Sequence, residues 1–199
     1  MESPHRPGCS SGAIVPLFPL PDLILFPGVV QPLHIFEPRY RQMVGDLLDA
    51  AGHLVVGTVL GSSEMAREPA PVQPLAGLGR VEDYQRLPDG RYVILLRGVG
   101  RVQLVEVPSD RLYRKVQIDF VAETEQAFAD SERYCERVRE ATLARSTGEL
   151  ELPARVSLAE ITDLLLLHLG LPAKLLYDVF AITSVRERAR TALALHEKR

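Results

Sequence analysis

The chain changes its hydrophobic period near residue 122, and that switch restricts it to a strand-rich part followed by a helical part. Before the switch, short β-branched or leucine-rich runs recur at residues 23–26, 54–60, 91–97, 101–107 and 113–121, each bounded by turn residues, which predicts strands. Pro88, Asp89 and Gly90 form a turn that joins residues 81–87 to the run after Gly90 as a hairpin. Val116, Ile118 and Phe120 alternate with Lys115, Gln117 and Asp119, the pattern of one buried and one wet face. One helix interrupts the strands. Pro38 suits its first turn, Gly52 suits the position past its end, and Tyr40, Met43, Val44, Leu47, Leu48 and Ala51 share one face at i, i+3, i+4 spacing. That helix is expected to lie across the sheet.

After Ala122 the period becomes 3.6. Phe128, Cys135, Val138 and Thr142 mark a helix running to about Arg145, and residues 145–155, with Gly148 and Pro153, read as a linker. Ser157 with Glu160 forms a capping-box pattern, Gly170 and Pro172 separate the next helix, and Ser184 with Glu187 caps the last one. Four helices are therefore expected. The resulting division is a disordered polar tail over residues 1–12, a β domain over 13–122 and an α-helical bundle over 123–199, an α+β fold.

A chain of 199 residues, 46% hydrophobic and 25% charged, can close a core of ordinary size. Its net charge of −3 gives no overall basic character to attract nucleic acid. Two cysteines, Cys9 and Cys135, supply neither a disulfide framework nor a CxxC motif, which suits a reducing cytoplasm. The opening MESPHRPGCSSG lacks the apolar core of a signal peptide, and no run of about 18 apolar residues offers a membrane span.

Motif by motif, the sequence withholds catalysis. Gly8, Cys9, Ser10, Ser11 and Gly12 match GxSxG, but a nucleophile elbow needs a strand before it, and here a polar tail stands in its place. His5, His34, His53, His168 and His196 occur singly, so no metal is expected; His34 reads as a satisfied structural histidine and His168 as a packing residue. No Gly-Lys dipeptide exists to build a phosphate loop, and Gly77-Leu78-Gly79 and Gly98-Val99-Gly100 read as turns and bulges between strands. Arg80, Arg86, Arg91, Arg97 and Arg101 are interleaved with Glu82, Asp83 and Asp89, the composition of a solvated, mutually neutralising face rather than a nucleic-acid stripe.

VPLFPL at residues 15–20, LFPG at 25–28 and PLHIFEPRYRQM at 32–43 resemble the opening of the Lon protease amino-terminal, substrate-binding domain family. LPDGRYVILLRGVGRVQL at 87–104 and YRKVQI from Tyr113 are similar to its later strands, and the terminal helices resemble its helical half more loosely. The resemblance implies a PUA-like β barrel followed by a helical bundle, and a role in capturing polypeptides, unfolded chains or Lon itself among them. No ATPase or serine-lysine peptidase segment accompanies it in this sequence, so the expectation is a non-catalytic binding module without cofactor, acting as an adaptor or quality-control factor. An RNA-binding role, as in other PUA-like barrels, is the alternative. Phe18, Phe26, Phe36, Arg39 and Tyr40 are the candidate peptide-binding residues; burial tendencies favour barrel core over binding patch for the aromatics, and Glu37, Arg39 and Arg41 fit an ion pair at the helix start or a polar rim.

Overall fold

The computed structural model describes residues 9–124, 131–145 and 156–198. The chain divides into two compact units, Met1–Val121 and Ala122–Arg199. The expected Phe128 and the 146–155 part of the linker lie outside the described residues.

The first unit runs β1 (Ile14–Pro21), β2 (Val30–Ile35), α1 (Pro38–Leu48), β3 (His53–Val59), α2 (Ser62–Met65), β4 (Leu75–Arg86), β5 (Tyr92–Val107) and β6 (Lys115–Phe120). The order β5-β4-β3-β1-β6 returns to β5 through a β5–β6 pairing, so five strands form a closed circuit, and β2 hangs on the outside of β5. Among the described strands only β1 and β3 pair in parallel. Every residue of β3 is buried because it has core on both faces. Val55 faces a cluster with Leu17, Leu78, Val102, Val116 and Ile118. Leu54 and Val56 face another, with Ile94, Leu96 and the Tyr40, Met43, Val44 and Leu47 stripe of α1. The expected helix thus packs on the barrel through Tyr40, Met43, Val44 and Leu47, but it ends at Leu48, and Ala51, expected on the same face, is exposed beyond it.

Several expectations need correction. Residues 23–26 are not a strand, although Ile24, Leu25 and Phe26 are buried. They pass directly over β4 and β5: a Cβ on Gly77 would lie 2.1 Å from the Leu25 carbonyl oxygen, and one on Gly98 would lie 2.0 Å from that of Phe26. These glycines admit a crossing segment rather than a turn. The predicted strands at 91–97 and 101–107 are one continuous β5, with the register against β4 shifting where Leu78 meets Gly100 and Gly79 meets Gly98.

The first strand instead spans three prolines. Ile14, Val15 and Pro16 pair with β6, whereas Leu17 to Pro21 pair with β3, so each half of β1 has one unladdered side. A residue without an N–H is tolerated there. Ser11 and Gly12 are not part of a disordered tail, because the Gly12 N–H donates to Ile118 O at 2.7 Å and the Phe120 N–H donates to Ser11 Oγ at 3.1 Å. A second, single-turn helix, α2, also lies among the strands, where one helix was expected.

Pro32 occupies the appended strand. Gly98 N–H donates to Val29 O at 2.8 Å, and counting by twos along the β2–β5 register turns the backbone of Pro32 away from β5. The free side of β2 therefore has a gap in its row of donors.

The second unit contains α3 (Ser131–Arg145), α4 (Leu158–His168), α5 (Ala173–Phe180) and α6 (Val185–Glu197), four helices among the described residues. Both predicted caps form: Ser157 and Glu160 complete a capping box, and Ser184 Oγ accepts from the Glu187 N–H at 3.4 Å. The apolar faces enclose a charged core. Arg188, fully buried on α6, donates to Ile182 O at 2.8 Å and to Glu123 Oε1 at 2.5 Å. Its Nε lies at ion-pair distance from Asp163 on α4 without the alignment of a hydrogen bond.

Candidate functional site

The five candidate residues do not form one site. Phe18 packs in the core against Tyr40 of α1, the two rings tilted by 56° with centroids 4.5 Å apart. Phe26 is fully buried beneath the guanidinium of Arg101, 5.7 Å from its ring. Phe36, by contrast, is 60% exposed just past the end of β2 and leans on His34, 6.0 Å between centroids. Phe18 and Phe26 therefore act as packing. Phe36 offers surface.

Arg39 and Tyr40 come together in a cleft of about 410 Å³ that also includes Pro19, Met65, Arg67 and Arg114. Helix α1 supplies the first pair because Pro38 starts it and Glu37 stands outside it. The Arg39 guanidinium lies 4.8 Å from the Tyr40 ring and 2.8 Å from Glu37, which realises the ion pair at the helix start. Arg114, on the segment before β6, clamps Glu106 through two nitrogens at 2.8 and 2.6 Å and donates to Ala70 O. Arg67 pairs with Glu64 at 2.8 Å. Burial pushes the Tyr40 phenol above its ordinary pKa, opposed by the neighbouring Arg39 charge. The cleft thus joins an apolar floor to a rim of guanidiniums already fixed by glutamates.

A second cavity, about 540 Å³, opens between the end of α1 and the start of β1. Tyr113 donates to Asp46 at 2.8 Å there, and burial followed by that bond pushes its phenol up to about 12. His53 is 5% exposed and neither ring nitrogen has a partner; burial, then the Arg80 charge, holds its pKa below the ordinary histidine value.

His34 is exposed rather than a satisfied core histidine, whereas His168 Nδ1 lies 2.8 Å from Leu164 O within its own helix. The arginine-rich strands are neutralised in part: Arg97 pairs with Glu82 and Arg91 with Asp89. Arg101 departs from the solvated face expected of it, being 2% exposed. Met65, Arg67 and Arg114 were not singled out from sequence; they reach the cleft from α2 and from the approach to β6, elements with no periodic signal to link them. Among the described residues no group of three or more histidines, cysteines or acids could hold a metal, and no helix is long and apolar enough to cross a membrane.

Barrel, packed helix and guanidinium-rimmed cleft together define an α+β domain. Residues 14–197 match the model of the ATP-dependent protease La (LON) substrate-binding domain, and the chain belongs to that family. It is 24% identical over 195 residues to the Lon protease of Anaeromyxobacter dehalogenans, covering 92% of this chain and 23% of the relative. With Lon protease 2 of Sorangium cellulosum it shares 30% identity over 142 residues, 70% of this chain and 17% of that protein. The chain spans less than a quarter of the length of these curated relatives. In fold it matches a Lon N-terminal domain protein from Xanthomonas campestris, with a TM-score of 0.69, 20% identity and coverage of 92% and 98% of the two chains. The N-terminal domain of a Mycobacterium avium complex Lon protease gives a TM-score of 0.67 at 15% identity, covering 93% of this chain and 98% of that one.

Proposed function

We propose that this domain captures polypeptide segments without acting on them chemically, as an adaptor or quality-control factor in the cytoplasm. The observation that carries this reading is the cleft of Arg39, Tyr40, Met65, Arg67 and Arg114. A bound chain has apolar side chains to bury and backbone carbonyls to satisfy. The floor of Tyr40, Met65 and Pro19 answers the first need, and the forked donors of Arg39 and Arg114 answer the second. Because glutamates hold those guanidiniums in place beforehand, little side-chain entropy is lost when a ligand arrives. Phe36 extends apolar contact onto the open face of β2, where Val30 is also exposed.

The partners on this reading are unfolded proteins or a full-length Lon. Photocrosslinking to a reduced, carboxymethylated model protein tests it, with Met65 and Phe36 as the probe positions. Labelling at both, suppressed by excess unfolded competitor and retained with the native competitor, is the expected result. Equal labelling by native and unfolded chains would contradict the reading, as would cleavage of casein by the purified domain.

A further inference from the structure

The guanidiniums of the first unit differ in how they are neutralised. Arg39, Arg67, Arg91, Arg97, Arg111 and Arg114 each pair with a carboxylate. Arg41 and Arg86 face one cavity of about 390 Å³, away from the cleft described above, and neither has a carboxylate at ion-pair distance among the described residues.

Both are held in position. A Cβ on Gly90 would come within 2.2 Å of Arg41 Nη2, so this guanidinium lies directly against the glycine backbone of the β4–β5 turn. Arg86 lies 5.9 Å from the centroid of Tyr92, a ring that is itself buried. Helix α1 starts at the cavity with Pro38, which puts the positive end of its dipole on that side, although the Tyr40 and Arg41 N–H groups already donate to Glu37 O. Asp89, on the same turn as Gly90, lies close enough to feel the Arg41 charge. Its oxygens are engaged by the Arg91 N–H at 3.0 Å and the Arg91 side chain at 2.6 Å, and those bonds, with a smaller contribution from Arg41, hold its carboxyl below the usual range. Asp89 is thus offset by Arg91, and the charges of Arg41 and Arg86 are left over.

We propose that this cavity receives the carboxylate of an aspartate or glutamate in a bound polypeptide, giving the domain a preference for acidic segments. Two like charges fixed in one concavity repel each other until an anion enters, and guanidinium forks match a carboxylate in shape. The inference rests on the polypeptide-binding reading and adds the chemistry of its substrate.

The test measures fluorescence anisotropy of a labelled peptide with leucines flanking a central pair of glutamates, and of its glutamine twin. Wild type is expected to bind the glutamate peptide about tenfold more tightly at low salt. The Arg41→Gln/Arg86→Gln protein is expected to bind both peptides alike, at the wild-type affinity for the glutamine form. Should the double variant fail to fold, Arg86→Gln alone, at an exposed position, is expected to lose most of the preference. Equal binding of both peptides by wild type would overturn this inference while leaving polypeptide binding intact. Binding of neither would overturn both. A uridine oligonucleotide that bound wild type and was lost in the variant would assign the cavity to nucleic acid instead.

Discussion

Arg188 Nε and Asp163 Oδ1 lie 2.9 Å apart, with side-chain exposures of 0% and 2%. Replacing Arg188 by leucine removes the ion-pair partner of the buried Asp163 carboxylate, and the expected loss is about 3–5 kcal/mol. The double replacement Arg188→Leu/Asp163→Leu is expected to recover part of it, since the fully buried carboxylate is then gone and Glu123, the other acid on Arg188, is partly exposed. Urea unfolding of the two variants decides the matter; equal losses would show that the pair itself is not the source.

Two glycines separate backbone approach from helix propensity. Gly98→Ala drives a methyl group against the Phe26 carbonyl, so a loss of about 3 kcal/mol or more is expected. Gly45, inside α1, has open space where a Cβ would stand, and Gly45→Ala is expected to stabilise by about 0.5–1 kcal/mol. Thermal melts of both variants provide the check.

His53 gives stability a pH slope. Its ring binds a proton less readily in the fold than in the unfolded chain, because burial and Arg80 both disfavour the charge. Above the ordinary histidine value of 6.5 the ring is neutral in both states and adds no slope. Below it the unfolded chain takes the proton first, so stability falls until the folded ring also titrates. His53→Gln is expected to flatten unfolding midpoints just below pH 6.5, and an unchanged slope would exclude this histidine as the cause.

Tyr113 acts at the other end of the scale. Its phenol is held up to about 12, whereas an ordinary tyrosine titrates at 10.0, so the unfolded chain ionises first and stability falls across that interval. Absorbance titration of the tyrosines should contain one late step that is missing from Tyr113→Phe.

Exposure distinguishes two phenylalanines of the candidate set. Phe18→Ala is expected to cost about 3–5 kcal/mol through the core it opens. Phe36→Ser is expected to stay within about 0.5 kcal/mol of wild type and still weaken binding to an unfolded chain. Unfolding and crosslinking run on the same samples would reverse the assignment if Phe36→Ser proved unstable or bound normally.

Helices and caps were legible because their signals are local: the α1 stripe, the Ser157–Glu160 box and the Ser184 cap need only neighbours three or four residues away. The alternation of β6 was readable for the same reason. The path of residues 23–26 was not, since an apolar run looks alike whether it joins a ladder or crosses over Gly77 and Gly98. The prolines of β1 concealed a strand whose two halves have different partners. At the cleft, Arg39 and Tyr40 were marked by resemblance, but Met65, Arg67 and Arg114 reach them through folding alone. Composition predicted neutralised arginines without telling Arg97, which has Glu82, from Arg86, which stacks on a tyrosine.

The missing N–H at Pro32 has a bearing on how copies of this domain behave when crowded. A sheet rim that could be zipped by any passing extended chain would invite open-ended stacking. With Pro32 facing outward on β2, an arriving strand finds one bond short at mid-length. The five-stranded circuit leaves open only short stretches, such as the proline-bearing halves of β1, and its one appended strand is poorly suited to seeding a fibril.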